Sequence, residues 1–168
     1  MHALHRILVK VCDSRNTAGD IRSFAESETE GFDEAYDWRE TDSSGRWSDE
    51  YPENVIFGRE KVNVLIGELN EVKDEQERTL KYHIRELKKD FPTLNLCEMI
   101  KLMSISRSAS SFSSYHLKCI AEALSGDYTF DSCFYDTTTG YATVDDRVIE
   151  KVKENPSEWA LVLFDYHF

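Results

Sequence analysis

The chain has 168 residues, 40% of them apolar and 12% aromatic, which is enough for one domain to bury its own core without metal or disulfide support. Its formal net charge of −12 repels phosphate backbones and anionic lipids, so direct nucleic-acid or membrane binding is disfavoured and basic protein surfaces are the natural partners. Cys12, Cys97, Cys119 and Cys133 form no C-x-x-C pair, the first residues lack a secretion signal, and no window approaches the ~18–20 apolar residues of a membrane span, so a soluble cytoplasmic protein with reduced thiols and no cofactor is expected.

Leu4 to Val11 alternates Leu4, Arg6, Leu8 and Lys10 with His5, Ile7, Val9 and Val11, which predicts a first strand with one face buried. Thr17 to Thr29 predicts a short amphipathic helix with Ile21, Phe24 and Ala25 inward and Asn16 or Thr17 as N-cap. Asp33 to Thr41 suits a strand, because Tyr36, Trp38 and Thr41 favour a pleated backbone, and the residues from Asp42 to Gly45 suit a turn. Pro52 then holds a loop open.

Arg59 to Asp90 carries one long helical pattern through Val62, Leu65, Ile66, Leu69, Val72, Leu80, Ile84 and Leu87, but residues 73–79 are polar all round. Such a stretch either leaves the body as an arm of up to ~48 Å or breaks in two. Helices over Leu94 to Met103 and Phe112 to Leu124 follow, the second closed by Gly126, with a serine-rich connection between them. Asp131 to Tyr141 predicts a strand, Asp145 to Glu154 a helix, and the nearly all-apolar run Trp159 to Phe168 a buried strand.

Strand, helix and strand thus stand at both ends. The pattern predicts a single α+β domain over residues 1–168 with a ferredoxin-like antiparallel sheet of about four strands. Residues 1–58 and 126–168 supply the sheet halves, residues 59–125 are an inserted helical block, and the last strand lies antiparallel beside the first.

Two constellations follow. The stretch from Glu26 to Glu53 holds eleven carboxylates against Arg39 and Arg46, a local charge of −9. Asp33, Glu34, Trp38, Arg46, Trp47, Asp49, Glu50 and Tyr51 are therefore candidates for partner binding, since Trp, Tyr and Arg dominate interface hot spots and the carboxylates would face a basic surface. At the termini, Asp165 and His167 share one face of the last strand and come near His2 and His5. That set suits an acid–base pair (Asp165, His167) or a metal site (His2, His5, Asp165, His167), although plain carboxylate–imidazole hydrogen bonding explains it as well. Phosphate loops, dinucleotide fingerprints, zinc-finger spacings and nucleophile elbows are all absent from the sequence.

In its residues Tyr36-Asp37-Trp38, Gly45-Arg46-Trp47 and Leu163-Phe164-Asp165-Tyr166-His167-Phe168, the chain resembles small uncharacterised proteins of bacterial phages and mobile elements. Ser44 stands where many of those proteins carry the first of two glycines. The resemblance implies a mobile-element origin and a shared structural nucleus, and it supplies neither an activity nor catalytic residues. With the charge pattern, the expectation is a non-enzymatic accessory protein that binds and inhibits a host nucleic-acid-handling protein, for instance an immune effector, in the manner of an anti-CRISPR. The alternatives are a small metal-dependent or acid–base hydrolase and a dimeric scaffold paired through the long arm.

Overall fold

The computed structural model describes residues 2–106, 112–127 and 132–167. Among these residues five strands and five α-helices follow in chain order: β1 (His2–Lys10), α1 (Ala18–Glu28), β2 (Trp38–Glu40), β3 (Val55–Phe57), α2 (Gly58–Asp90), α3 (Leu96–Ser106), α4 (Phe112–Ser125), β4 (Phe134–Asp136), α5 (Asp146–Glu154) and β5 (Trp159–His167). Among the described residues no helix is long and apolar enough to cross a membrane, and Cys12 and Cys97 are free thiols.

The chain is α+β as expected, but the sheet is mixed rather than ferredoxin-like. Its order is β2-β5-β1-β4, with β3 also paired to β5. β1 lies antiparallel to β5 over nine residue pairs, from His2 opposite His167 to Lys10 opposite Trp159. It lies parallel to β4 through Arg6, Ile7 and Leu8 opposite Phe134, Tyr135 and Asp136. The physical reason is the composition of β5. A strand whose side chains are apolar on both faces needs cover on both faces and a neighbour on each edge, so it takes a central place and leaves the three-residue β4 at the rim.

Alternation along β1 and β5 separates two cores. Leu4, Leu8, Leu161 and Leu163 face α2 and α5, meeting Leu65, Leu69, Val72, Ile149 and Val152. Ile7, Val9, Val162 and Phe164 face α1, meeting Ile21 and Ala25. Thr17 caps α1 in a capping box with Asp20, while Phe24, expected inward, is 46% exposed. Asp145 caps α5 by accepting from the Val148 amide.

The long helical pattern is neither a naked arm nor two separate helices. α2 runs to Asp90, with one irregular residue, Lys61, in its first turn. Its polar middle is anchored: Gln76 donates to the carbonyls of Ser132 and Ala142 and accepts from the Val144 amide, and Lys73 pairs with Asp146. Its C-terminal half packs on α4 through Leu87 and Phe91 against Leu117 and Ile120. Of the apolar positions of this helix, Leu65, Ile66, Leu69, Val72 and Leu87 pack within the chain. Residues 107–111, which hold much of the serine-rich connection, and Asp131 and Phe168, the outer ends of two expected strands, lie outside the described residues.

Candidate functional site at the sheet edge

β2 and β3 are two pieces of one edge line along β5. Trp38, Arg39 and Glu40 pair with His167, Tyr166 and Asp165, and Val55, Ile56 and Phe57 pair with Val162, Leu161 and Ala160. Between them residues 41–54 leave the sheet and return. Asn54 fastens the excursion, accepting from the Leu163 amide at 2.8 Å and donating to the Thr41 carbonyl at 2.8 Å. The expected strand over 33–41 is thus reduced to three residues, preceded by a 3-10 turn, Glu30–Ala35, and the expected turn at 42–45 leads into another, Gly45–Trp47.

The second of these turns lies on Asp165. The carboxylate is 1% exposed and is held from two sides: the Arg46 amide donates to Oδ2 at 3.0 Å, and His2 Nδ1 lies 2.9 Å from Oδ1 and 3.2 Å from Oδ2. Gly45 makes the approach possible. Its φ is +55°, and a Cβ there would stand 2.3 Å from Asp165 Oδ2, so the backbone rests directly on the carboxylate. Ser44 has φ −80°, an ordinary conformation, so one glycine is sufficient for the turn.

Cross-strand register puts Trp38, His167 and His2 in one row over three strands. The two imidazoles meet edge to face with centroids 4.8 Å apart, and Asp37 Oδ2 lies 3.9 Å from His167 Nδ1. His5 is on the opposite face of β1, against Tyr166 at 4.2 Å and Tyr36 at 5.7 Å, where those two rings stack. The expected gathering of His2, His5, Asp165 and His167 therefore fails at His5, because odd and even positions of a strand point to opposite faces. Among the described residues no group of three or more His, Cys, Asp or Glu could hold a metal ion.

Burial, and secondarily the charge of Arg6, lowers the His5 pKa from 6.5 to about 3. The folded state thus holds this ring neutral while the unfolded chain takes up a proton below 6.5. Stability from this residue is complete above that value and is lost as pH falls toward 3, by at most about 1.4 kcal/mol per pH unit. His5→Phe should bring the urea midpoints at pH 7 and pH 5 closer together; an unchanged gap would assign the acid sensitivity to other groups.

The candidate binding residues divide by exposure. Trp38 is 51% exposed on the edge strand, and Arg46, Asp49 and Glu50 are exposed on the excursion. Trp47 and Tyr51 instead pack against the core. The Tyr51 hydroxyl donates to Glu68 Oε1 at 2.6 Å, and burial together with that bond pushes its pKa up. At Asp33 and Glu34 the side chains lie outside the described residues. Sequence reasoning missed the partner of Glu68, the buried Arg6, whose Nε donates to Oε2 at 2.7 Å. The available signal was Glu68 itself, at helical spacing with Leu65, Leu69 and Val72 on the inward side of α2.

No protein-family model, curated protein or solved structure matches the chain.

Proposed function

We propose that the chain is a non-enzymatic binding protein that covers a basic surface of a nucleic-acid-handling partner, as an inhibitor encoded by a phage or mobile element would. The observation that supports this reading is the composition of the β2 edge. Trp38 stands half exposed on the edge strand, Arg46 is exposed on the excursion that follows it, and carboxylates of the same stretch point to solvent, with Asp37 77% and Asp42 96% exposed. Charges spaced along such an edge imitate a phosphate backbone, and an exposed tryptophan with an arginine supplies the anchor.

Attraction between exposed charges is screened over ~8 Å at physiological ionic strength. Binding should therefore weaken as salt rises, and the triple charge reversal Asp42→Lys, Asp49→Lys, Glu50→Lys should abolish it while the fold persists, since none of the three side chains is buried. Association unchanged by salt and by the triple variant would reject the reading.

The His2–Asp165 pair favours a second reading, acid–base catalysis. A buried carboxylate on Nδ1 orients the ring and leaves the other ring nitrogen for a substrate. This pairing replaces the expected Asp165–His167 couple. A pH-dependent hydrolytic activity, lost in His2→Ala with the melting temperature little changed, would support it.

A further inference from the structure

Two histidines distant in sequence meet inside the joint between α2 and α4. His83 on α2 and His116 on α4 are 6% and 1% exposed, and their Nδ1 atoms lie 2.8 Å apart. Tyr82 and Tyr115 flank them, with ring centroids 5.2 and 5.7 Å from His83 and 5.8 and 5.4 Å from His116. Beside them Leu87 and Phe91 pack with Leu117 and Ile120, and Ser113 donates to Asp90 at 2.6 Å, so an imidazole contact, an apolar cluster and one hydrogen bond close the joint.

A contact between two Nδ1 atoms needs a proton on one and a lone pair on the other. With one added proton it survives, because the charged ring donates to the neutral one. A second proton has to enter on the accepting Nδ1, which sets two N–H groups and two positive charges against each other in a buried place. Among the described residues the carboxylate at helical spacing from His83 is Glu86, and it is already answered by Lys89 at 2.5 Å and Arg85 at 3.6 Å. The Lys89 bond holds the Glu86 carboxyl below its usual pKa. Arg85 also lies over the Tyr82 ring, and Cys119 is the titratable side chain one turn beyond His116. Of the charged groups in the cleft that His83 borders, Glu77, Glu122, Asp145 and Asp146 pair with Lys81, Lys118, Arg147 and Lys73, and His2 pairs with Asp165, while Glu75 and Asp127 are exposed to solvent.

We propose that the His83–His116 pair is an acid-operated latch, which holds α4 on α2 while the two rings share at most one added proton and releases α4 when the second arrives, uncovering Leu87, Phe91, Leu117 and Ile120. The released state binds one proton more than the docked state. Docking is therefore complete at neutral pH and weakens, by at most about tenfold per pH unit, as pH falls below the ordinary imidazole value of ~6.5. The latch rests on neither the β2 edge nor the His2–Asp165 pair.

Hydrogen exchange in the full chain at pH 7.5 and pH 5, corrected for intrinsic rates, tests it. Amides of α4 should lose protection by about tenfold or more on acidification. In His116→Asn, whose side-chain amide takes the place of Nδ1 and accepts from a charged His83, the loss should shrink to about twofold or less. His5→Phe should leave the loss in place. A loss absent from the wild-type chain, equal in His116→Asn, or removed by His5→Phe would overturn the proposal, the last because global acid unfolding would then account for it. Where His116→Asn itself undocks α4, the imidazole nitrogen signals of the wild-type chain decide. A second protonation that coincides with the loss of α4 protection supports the latch, and two imidazolium rings with α4 still protected would overturn it.

Discussion

Glu68→Ala should lose about 3–5 kcal/mol of stability, read as a large drop in the urea midpoint. Arg6 occupies the β1 face between Leu4 and Leu8, and both it and Glu68 are 7% exposed. The carboxylate serves two donors at once, Arg6 Nε at 2.7 Å and the Tyr51 hydroxyl at 2.6 Å. Without it a buried guanidinium and a half-buried phenol lose their shared acceptor. Glu71 cannot replace it, because it stands 3.6 Å from Arg6 Nη2 with its side chain 61% exposed. The cost belongs to the uncompensated charge rather than to the pair as such. Removing all three groups together, as Arg6→Met, Glu68→Leu and Tyr51→Phe, should therefore recover most of the loss. A Glu68→Ala penalty below about 1 kcal/mol would show that water reaches Arg6 and that the pair is not buried in solution.

The second large effect is expected at Gly45. An alanine there would meet Asp165 Oδ2 at 2.3 Å and Asp165 Cβ at 2.5 Å, and it would also have to hold φ +55°. The left-handed conformation costs a non-glycine residue ~1–2 kcal/mol and overpacking a buried site ~1–3 kcal/mol, so Gly45→Ala should lose roughly 2–5 kcal/mol in all. The turn can lift off Asp165 to avoid the collision, and that outcome has its own signature. The Arg46 amide, which donates to Asp165 at 3.0 Å, would then exchange its hydrogen faster. Ser44→Gly, at an ordinary φ of −80°, should give no gain in stability. Wild-type stability in Gly45→Ala would contradict the close approach.

Much of the frame was legible because it rests on local signals. The alternation in β1, the Thr17 cap, the periodicity of α2 and the apolar run of β5 each declare an element through its own residues. The meeting of the chain ends was legible as well, because an antiparallel β1–β5 pair places His2 beside Asp165. What escaped was set by partners distant in sequence. Val55–Phe57 is too short to announce a strand until β5 lies beside it. The parallel pairing of β4 with β1 joins residues far apart in the chain, Arg6 with Phe134, and no signal within either strand declares it. Tyr51 and Trp47, read as exposed anchors from their acidic surroundings, turn inward because Glu68 and the α2 side of the core receive them. The polar stretch 73–79 looked solvated because the groups that bind Gln76 and Lys73 lie some 56–73 residues further along the chain.

The most direct test of the proposed binding role is competition. The chain is immobilised, bacterial lysate is passed over it at low salt, and retained proteins are eluted with short duplex DNA and then with salt, alongside the Asp42, Asp49 and Glu50 charge-reversal variant. The account predicts that a basic nucleic-acid-binding protein is retained by the wild-type chain, released by DNA as well as by salt, and absent from the variant column. Retention that DNA does not reverse, or that the charge-reversed chain preserves, would contradict it.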